Sequence, residues 1–159
     1  MRNYIQKIRS KLGHEKFIHP AARIIVENDN HEILIIEKRD TGQIGIPAGA
    51  LEENETIEAC IIREVKEETG LQLLDLEVIG ISSNPDSETV NYPNGDCIQY
   101  FTVEFYSSKW TGTIKIKDTD EIRAARFAHV NQIGKLPENE QSAFESLKYY
   151  RANGKIRLQ

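Results

Sequence analysis

Seven glutamates fall between Gly49 and Leu71, in GALEENETIEACIIREVKEETGL, and the same stretch carries the apolar spacing of a buried helix. On a helix advancing about 100° per residue, Ile57, Cys60, Ile61 and Val65 share one face, and Glu64 and Glu68 come within about 20° of the Ile57 direction. Glu67 lies on the flank, while Lys66 and Glu58 point elsewhere. Two like charges ~4 Å apart repel by about 1 kcal/mol in water and about 4 kcal/mol at an effective dielectric near 20. An inward face that gathers carboxylates therefore needs a cation, and neither Arg63 nor Lys66 is in phase to neutralise both acids. Carboxylate oxygens are the ligands of hard divalent cations, and Mg²⁺ takes a few of them while leaving places for water and substrate phosphates. The crowding makes sense as a metal site.

This stretch resembles the Nudix box of the Nudix (MutT-like) hydrolases, G-x5-E-x7-R-E-U-x-E-E-x-G-U with U aliphatic. Gly49, Glu55, Arg63, Glu64, Val65, Glu67, Glu68, Gly70 and Leu71 fill all nine fixed positions at the required spacing. Two variable positions depart from the usual pattern: Ala48 follows Pro47 where a glycine is common, and Asn54 stands where a glycine often precedes Glu55.

The resemblance implies an α/β fold, a Nudix α/β/α sandwich with a mixed β-sheet between helices, built from a single domain over residues 1–159. It implies that Glu64, Glu67 and Glu68 bind Mg²⁺ or Mn²⁺ directly or through water, with the Gly49 carbonyl completing the site. Glu55 and Arg63 are expected as a supporting ion pair, the arginine fork holding the loop against the helix. The reaction implied is hydrolysis of a pyrophosphate bond in a nucleoside diphosphate linked to another moiety: a nucleotide sugar, ADP-ribose or a nucleoside triphosphate. Water attacks in line at phosphorus. A carboxylate outside the helix is expected to serve as general base; Glu121, in KDTDEIRAARF, is the candidate and Glu64 its rival. Arg39, Tyr92 and Asn94 are the candidate substrate contacts, the last two in the turn sequence NYPNGD with Tyr92 a stacking surface. The alternatives are a silent nucleotide-binding sensor and an RNA 5′-end pyrophosphohydrolase.

The remaining sequence must position these residues. At 159 residues the chain can bury one full core, and its formal net charge of −5 gives no general affinity for polyanions. That balance argues against a nucleic-acid partner, and the resemblance implies a small nucleotide substrate. Cys60 and Cys97 form no CxxC, so both are expected reduced in the cytoplasm, with Cys60 as buried filler. No apolar run is long enough for a membrane. Residues 1–16 carry Tyr4, Ile5, Ile8 and Leu12 at helical spacing among basic residues running from Arg2 to Lys16, a packing helix or the seam of a homodimer.

AARIIVENDNHEILIIEKRD reads as two strands in a hairpin deep in a sheet, turning at Asn28 to Asn30. LLDLEVIGIS, DCIQYFTVEFYSS, TIKIK and IRAARFAHV read as further strands, and SNPDSETVNYPNGD as a long polar loop. Gly70 is placed to end the glutamate-rich helix, and a last helix from Pro137 is placed to end at Gly154. Trp110 is expected to cover a strand end, and the four histidines lack metal-ligand spacing.

Overall fold

The structure is a computed structural model that describes residues 4–117 and 120–159. Arg2 and Asp118, counted above with the basic N-terminus and the acidic segment before Glu121, lie outside the described residues.

The chain opens with helix α1 (Tyr4–Leu12) and continues into strand β1 (Phe17–Val26), β2 (Ile33–Lys38), β3 (Ile44–Gly45) and β4 (Ala48–Ala50). Helix α2 (Ile57–Thr69) follows, then β5 (Gln72–Leu73), β6 (Glu77–Ser82), the one-turn helix α3 (Pro85–Glu88), β7 (Thr89–Asn91), β8 (Cys97–Ser107) and β9 (Trp110–Thr111). Strand β10 (Ile122–Ala128), helix α4 (Glu138–Asn153) and the short β11 (Arg157–Leu158) close it. Among the described residues no helix is long and apolar enough to cross a membrane.

Strand β1 organises the main sheet, whose order is β11-β6-β8-β1-β4 with β7 also on β8. It runs parallel to β8 from Phe17 opposite Ile98 to Val26 opposite Ser107, and antiparallel to β4. The sheet is therefore mixed. Its alternation assigns the two faces. Ala22, Ile24 and Val26 pack with Cys60, Ile61 and Val65 of α2, whereas Ile25 packs with Ala143 and Leu147 of α4. Helices thus cover both faces, as expected of the sandwich. The same alternation turns Arg23 toward the α4 side, where it is 2% exposed.

Four expectations are corrected. The β1–β2 pair is not a hairpin within one sheet: among the described residues the isolated bridge Glu27–Ile33 joins the two strands, and β2 leaves to form a second sheet, β10-β2-β3. The fully apolar Ile33–Ile36 run allows this, since these four residues are buried on both faces of β2. TIKIK is not a strand; the pairing falls on Trp110 and Thr111, which join Leu73 and Gln72. LLDLEVIGIS is split into β5 and β6. The polar loop contains α3 and β7, because Asn84 caps the turn by accepting from Asp86 N–H and Glu88 is drawn wholly into the interior.

Helix α2 has a clear start and stop. Thr56 caps it by accepting from the Ala59 N–H, and Gly70 ends it at φ +82°, its N–H donating to Lys66 O. A Cβ at Gly70 would also stand 2.9 Å from Lys115 O. The last helix stops at Gly154 in the same left-handed conformation.

Candidate active site

Three elements meet around the glutamates of α2: β4 with its glycine, the loop leading into α2, and the start of β10. Arg63 is the joint. Its Nε and Nη2 donate to both oxygens of Glu55 at 3.0 and 2.7 Å, Nη1 donates to Glu64 Oε1 at 2.7 Å and Glu67 Oε2 at 3.3 Å, and Nη2 also reaches Ala50 O at 3.3 Å. The expected Glu55–Arg63 pair is thus a two-point clamp between loop and helix. Glu55 in turn accepts from the Glu52 N–H at 2.9 Å, and the Arg63 hydrogen bonds hold its carboxyl below the usual carboxylate range.

The loop owes its shape to Asn54, whose φ is +64°. That left-handed conformation explains why glycine suits the position and why asparagine can replace it. Glycine at 49 has a different cause. A Cβ there would lie 2.0 Å from the Glu64 carboxyl carbon, so the glutamate packs directly on the β4 backbone.

Glu64 and Glu68 point inward, as the helical phase requires. Burial raises the Glu64 pKa to about 7 against the opposing pull of Arg63, and the neighbouring Glu67 and Glu121 charges add to the rise. Glu68 is 9% exposed; burial raises its pKa well above the usual value, the Glu64 charge adds to this, and a backbone hydrogen bond from Ala48 opposes it. Its Oε2 is buried without a hydrogen-bond partner. An orphaned carboxylate oxygen beside a second buried acid is the environment a hard cation relieves, so these residues fit a divalent metal. Among the described residues, no three acidic, histidine or cysteine side chains already close around one point, because Glu64 is shared with Arg63.

Glu64 and Glu68 line a cleft of about 650 Å³ together with Ala48, Gly49, Tyr92 and Glu121. The rims also carry Asn94, Asp96, Tyr100 and Ile5. Gly49, Tyr92 and Tyr100 continue into an inner chamber of about 230 Å³, walled by Arg23, Lys38, Glu88, Thr102 and Glu140. Glu67, with Asp120 and Lys117, lines the outer side of the same acidic cluster. The chain therefore brings together Gly49, Glu64, Glu68, Glu121, Tyr92 and Asn94, with Glu67 at the edge and Glu55 and Arg63 as support.

Arg39 does not line these chambers. Its backbone N–H donates to Glu121 O at 2.8 Å and its Nη2 approaches Ile122 O at 3.5 Å, so it braces the segment that carries Glu121. Trp110 stacks on Phe127 with ring centroids 5.1 Å apart, on the core rather than the cleft. Cys60 is fully buried, and burial raises its thiol pKa to about 12, consistent with inert filler.

Sequence reasoning missed Tyr100, Glu88, Glu140 and Arg23. Tyr100 sits on β8 with its hydroxyl 2.6 Å from that of Tyr92, and only the strand pairing reveals that neighbour. Glu140 lies on α4 and accepts from the Ile46 N–H at 2.8 Å, a contact 94 residues apart in sequence.

Comparison with known proteins agrees with this geometry. The family model of the NUDIX domain matches residues 17–150. An ADP-ribose pyrophosphatase of Methanocaldococcus jannaschii is 32% identical over 142 residues, covering 85% of this chain and 79% of that protein. An NAD-capped RNA hydrolase of Vibrio atlanticus is 41% identical over 68 residues, which are 42% of this chain but 25% of that protein. Among solved structures, a MutT Nudix hydrolase from Burkholderia pseudomallei superposes with a TM-score of 0.68 at 18% identity, covering 82% of this chain and 98% of that one. At that identity the likeness speaks for the fold. Family match and relative agree: the chain belongs to the Nudix hydrolase family.

Proposed function

We propose that the cleft hydrolyses a pyrophosphate bond in a nucleoside diphosphate linked to a second moiety, with ADP-ribose the first compound to test, and that it requires Mg²⁺ or Mn²⁺. The observation that carries this reading is the pair of inward glutamates, Glu64 and Glu68, seated against Gly49 with one Glu68 oxygen lacking a partner. A chain that only bound a nucleotide would have no use for acids crowded on an inward face at that point. The name of the M. jannaschii relative supports ADP-ribose as the leading candidate.

Glu64, Glu68, Glu67 and the Gly49 carbonyl are the groups that would hold the metal. When bound, it supplies polarisation of the phosphoryl oxygens and a water of lowered pKa. The protein's own residues do the rest. Arg63 keeps Glu64 and the loop in register through its links to Glu55 and Ala50. Glu121, which lines the same cleft, is the group we assign to take the proton of the attacking water. Tyr92 and Tyr100 offer ring surface to the nucleoside or the second moiety, and Asn94 a polar contact. The two linked chambers suit a substrate whose ends lie on either side of the anhydride.

A hydrolysis panel tests this: ADP-ribose, nucleotide sugars, nucleoside triphosphates and NAD-capped RNA, each with Mg²⁺ or Mn²⁺, and Glu68→Gln as the blank. Cleavage of ADP-ribose by the wild type alone supports the reading. Cleavage of the capped RNA alone, with steep salt dependence, moves the assignment to RNA ends, an activity named for several relatives. No cleavage of any compound removes the catalytic reading.

A further inference from the structure

No residue of helix α1 is fully buried: Tyr4, Ile5 and Ile8 are half-buried, and the Tyr4 ring lies 5.7 Å from that of His19. Its polar attachments are directed at both banks of the cleft. On one bank the Tyr4 N–H donates to Glu52 Oε2 at 2.7 Å and Lys7 pairs with Glu53 at 2.9 Å. On the other, Arg9 Nη2 donates to Cys97 O at 2.7 Å and Arg9 Nε stands 3.4 Å from Asp96 Oδ2. The helix is strapped across the mouth, with Ile5 forming part of the wall.

Arg9 is the anchor. Its side chain is 11% exposed, its Nη1 donates to the carbonyls of Gly13 and Glu15 at 3.1 and 2.7 Å, and its guanidinium lies 4.6 Å from the centre of the Phe17 ring. One planar group therefore joins the end of α1, the start of β1 and the 92–97 turn. An exposed surface pair would not need five such contacts. From Arg9 the contacts run inward: Asp96 accepts from Asn94 Nδ2 at 3.1 Å, the Asn94 side chain accepts from the Asp96 N–H at 3.0 Å, and Tyr92 N–H donates to Asp96 O at 2.8 Å. Tyr92, Pro93, Asn94 and Asp96 of this turn line the cleft, and Tyr92 and Asn94 are its candidate substrate contacts.

We propose that Arg9 is a positioning residue for substrate: by donating to the Cys97 carbonyl and setting its charge beside Asp96, which His14 Nδ1 also meets at 2.7 Å, it holds the Tyr92–Asn94 turn in its binding conformation, so that α1 sets substrate affinity while the α2 glutamates set the chemical step. This rests on the cleft being the substrate site.

The test uses the full chain with Arg9→Ala and Arg9→Lys, and two readouts. Hydrogen exchange follows the amides of Tyr92, Gly95 and Asp96, all bonded within the turn, with the α2 amides as internal reference. Steady-state kinetics use ADP-ribose. Arg9→Ala is expected to speed exchange at the three turn amides with α2 unchanged, and to raise KM on the order of tenfold, the scale of one lost charge-assisted contact, with kcat within about twofold. Arg9→Lys keeps the charge near Asp96 but lacks the fork, and should fall between. Unchanged exchange at the turn overturns the proposal, as does an equal loss of kcat and kcat/KM with KM unmoved. If the wild type leaves ADP-ribose intact, the substrate reading fails separately, and the exchange result alone decides whether Arg9 holds the turn.

Discussion

The Glu64 carboxyl carbon occupies space 2.0 Å from where a side chain on residue 49 would begin, so Gly49 and Glu64 are a matched pair of backbone and carboxylate. The φ of Gly49 is not in the left-handed range, which leaves the side chain's volume as the reason for glycine. Gly49→Ala should therefore fold but drive Glu64 off its seat. The expected loss in kcat/KM is about 10²-fold, the scale of an ångström-sized misplacement at a reacting centre, with the melting temperature changed by only a few degrees. Kinetics beside differential scanning calorimetry check this; retained activity would mean that Glu64 does not act from this position.

Glu68 lies where removing a charge relieves repulsion. Glu68→Gln should leave the metal-free protein at least as stable as the wild type while reducing turnover on the order of 10²–10³-fold, as for loss of one charge-stabilising group. Divalent cation should separate the two proteins further. At roughly a hundred times its dissociation constant, Mg²⁺ or Mn²⁺ stabilises the wild type by about 2.7 kcal/mol, a rise of about 5–10 °C for a domain of this size. Melting curves with and without metal show whether that shift disappears in Glu68→Gln.

The third expectation concerns pH. Glu140 is 7% exposed, and burial raises its carboxyl pKa, opposed by the Ile46 N–H and the Lys38 and Arg23 charges. Its folded-state pKa therefore lies above the unfolded value of about 4.3, and the native state holds the proton more tightly. The associated stability is fully present below the unfolded value and is lost as pH rises through the folded one. Glu140→Gln keeps an acceptor for Ile46 without the charge. The stability difference between variant and wild type should be small near pH 4 and shift in favour of the variant toward pH 8, measured by urea unfolding at several pH values.

The α2 site was legible in the sequence because helical phase and box spacing are local properties. Thr56, Gly70 and the inward phase of Glu64 and Glu68 all follow from the 13 residues of α2 and its two caps. Asn54 is a case where the pattern was visible but its cause, a φ of +64°, needed coordinates. The β1–β2 hairpin failed for the opposite reason. Alternation and turn residues specify two strands, but which neighbours they pair with depends on β8 and β10, about eighty to ninety residues away. Glu88 was hidden in the same manner: a glutamate in a polar loop gives no local sign that an arginine 65 residues earlier awaits it. The inner chamber was illegible because its walls come from β1, α3, β8 and α4 at once.

That inner wall carries the last prediction. Arg23 donates through Nε to Glu104 Oε2 at 2.9 Å and through its two terminal nitrogens to Glu88, while Thr102 Oγ1 donates to Glu88 and Ser146 Oγ to Glu104 at 2.6 Å. All of these residues are at most 3% exposed, so one cation serves two carboxylates away from water. Burial works against the Arg23 charge, but Glu88 and Glu104 outweigh it and raise the guanidinium pKa. Arg23→Met strands both acids and should cost about 3–5 kcal/mol, the price of breaking a buried pair from one side. Arg23→Met with Glu88→Leu and Glu104→Leu removes the stranded charges as well and should recover roughly half of that loss or more, since apolar groups of similar size replace buried ions at little net cost. Urea unfolding of the two variants separates the possibilities. A triple variant no more stable than the single one would show that the hydrogen bonds to Ser146 and Thr102, which tie α4 and β8 to the chamber, matter more than the charge balance.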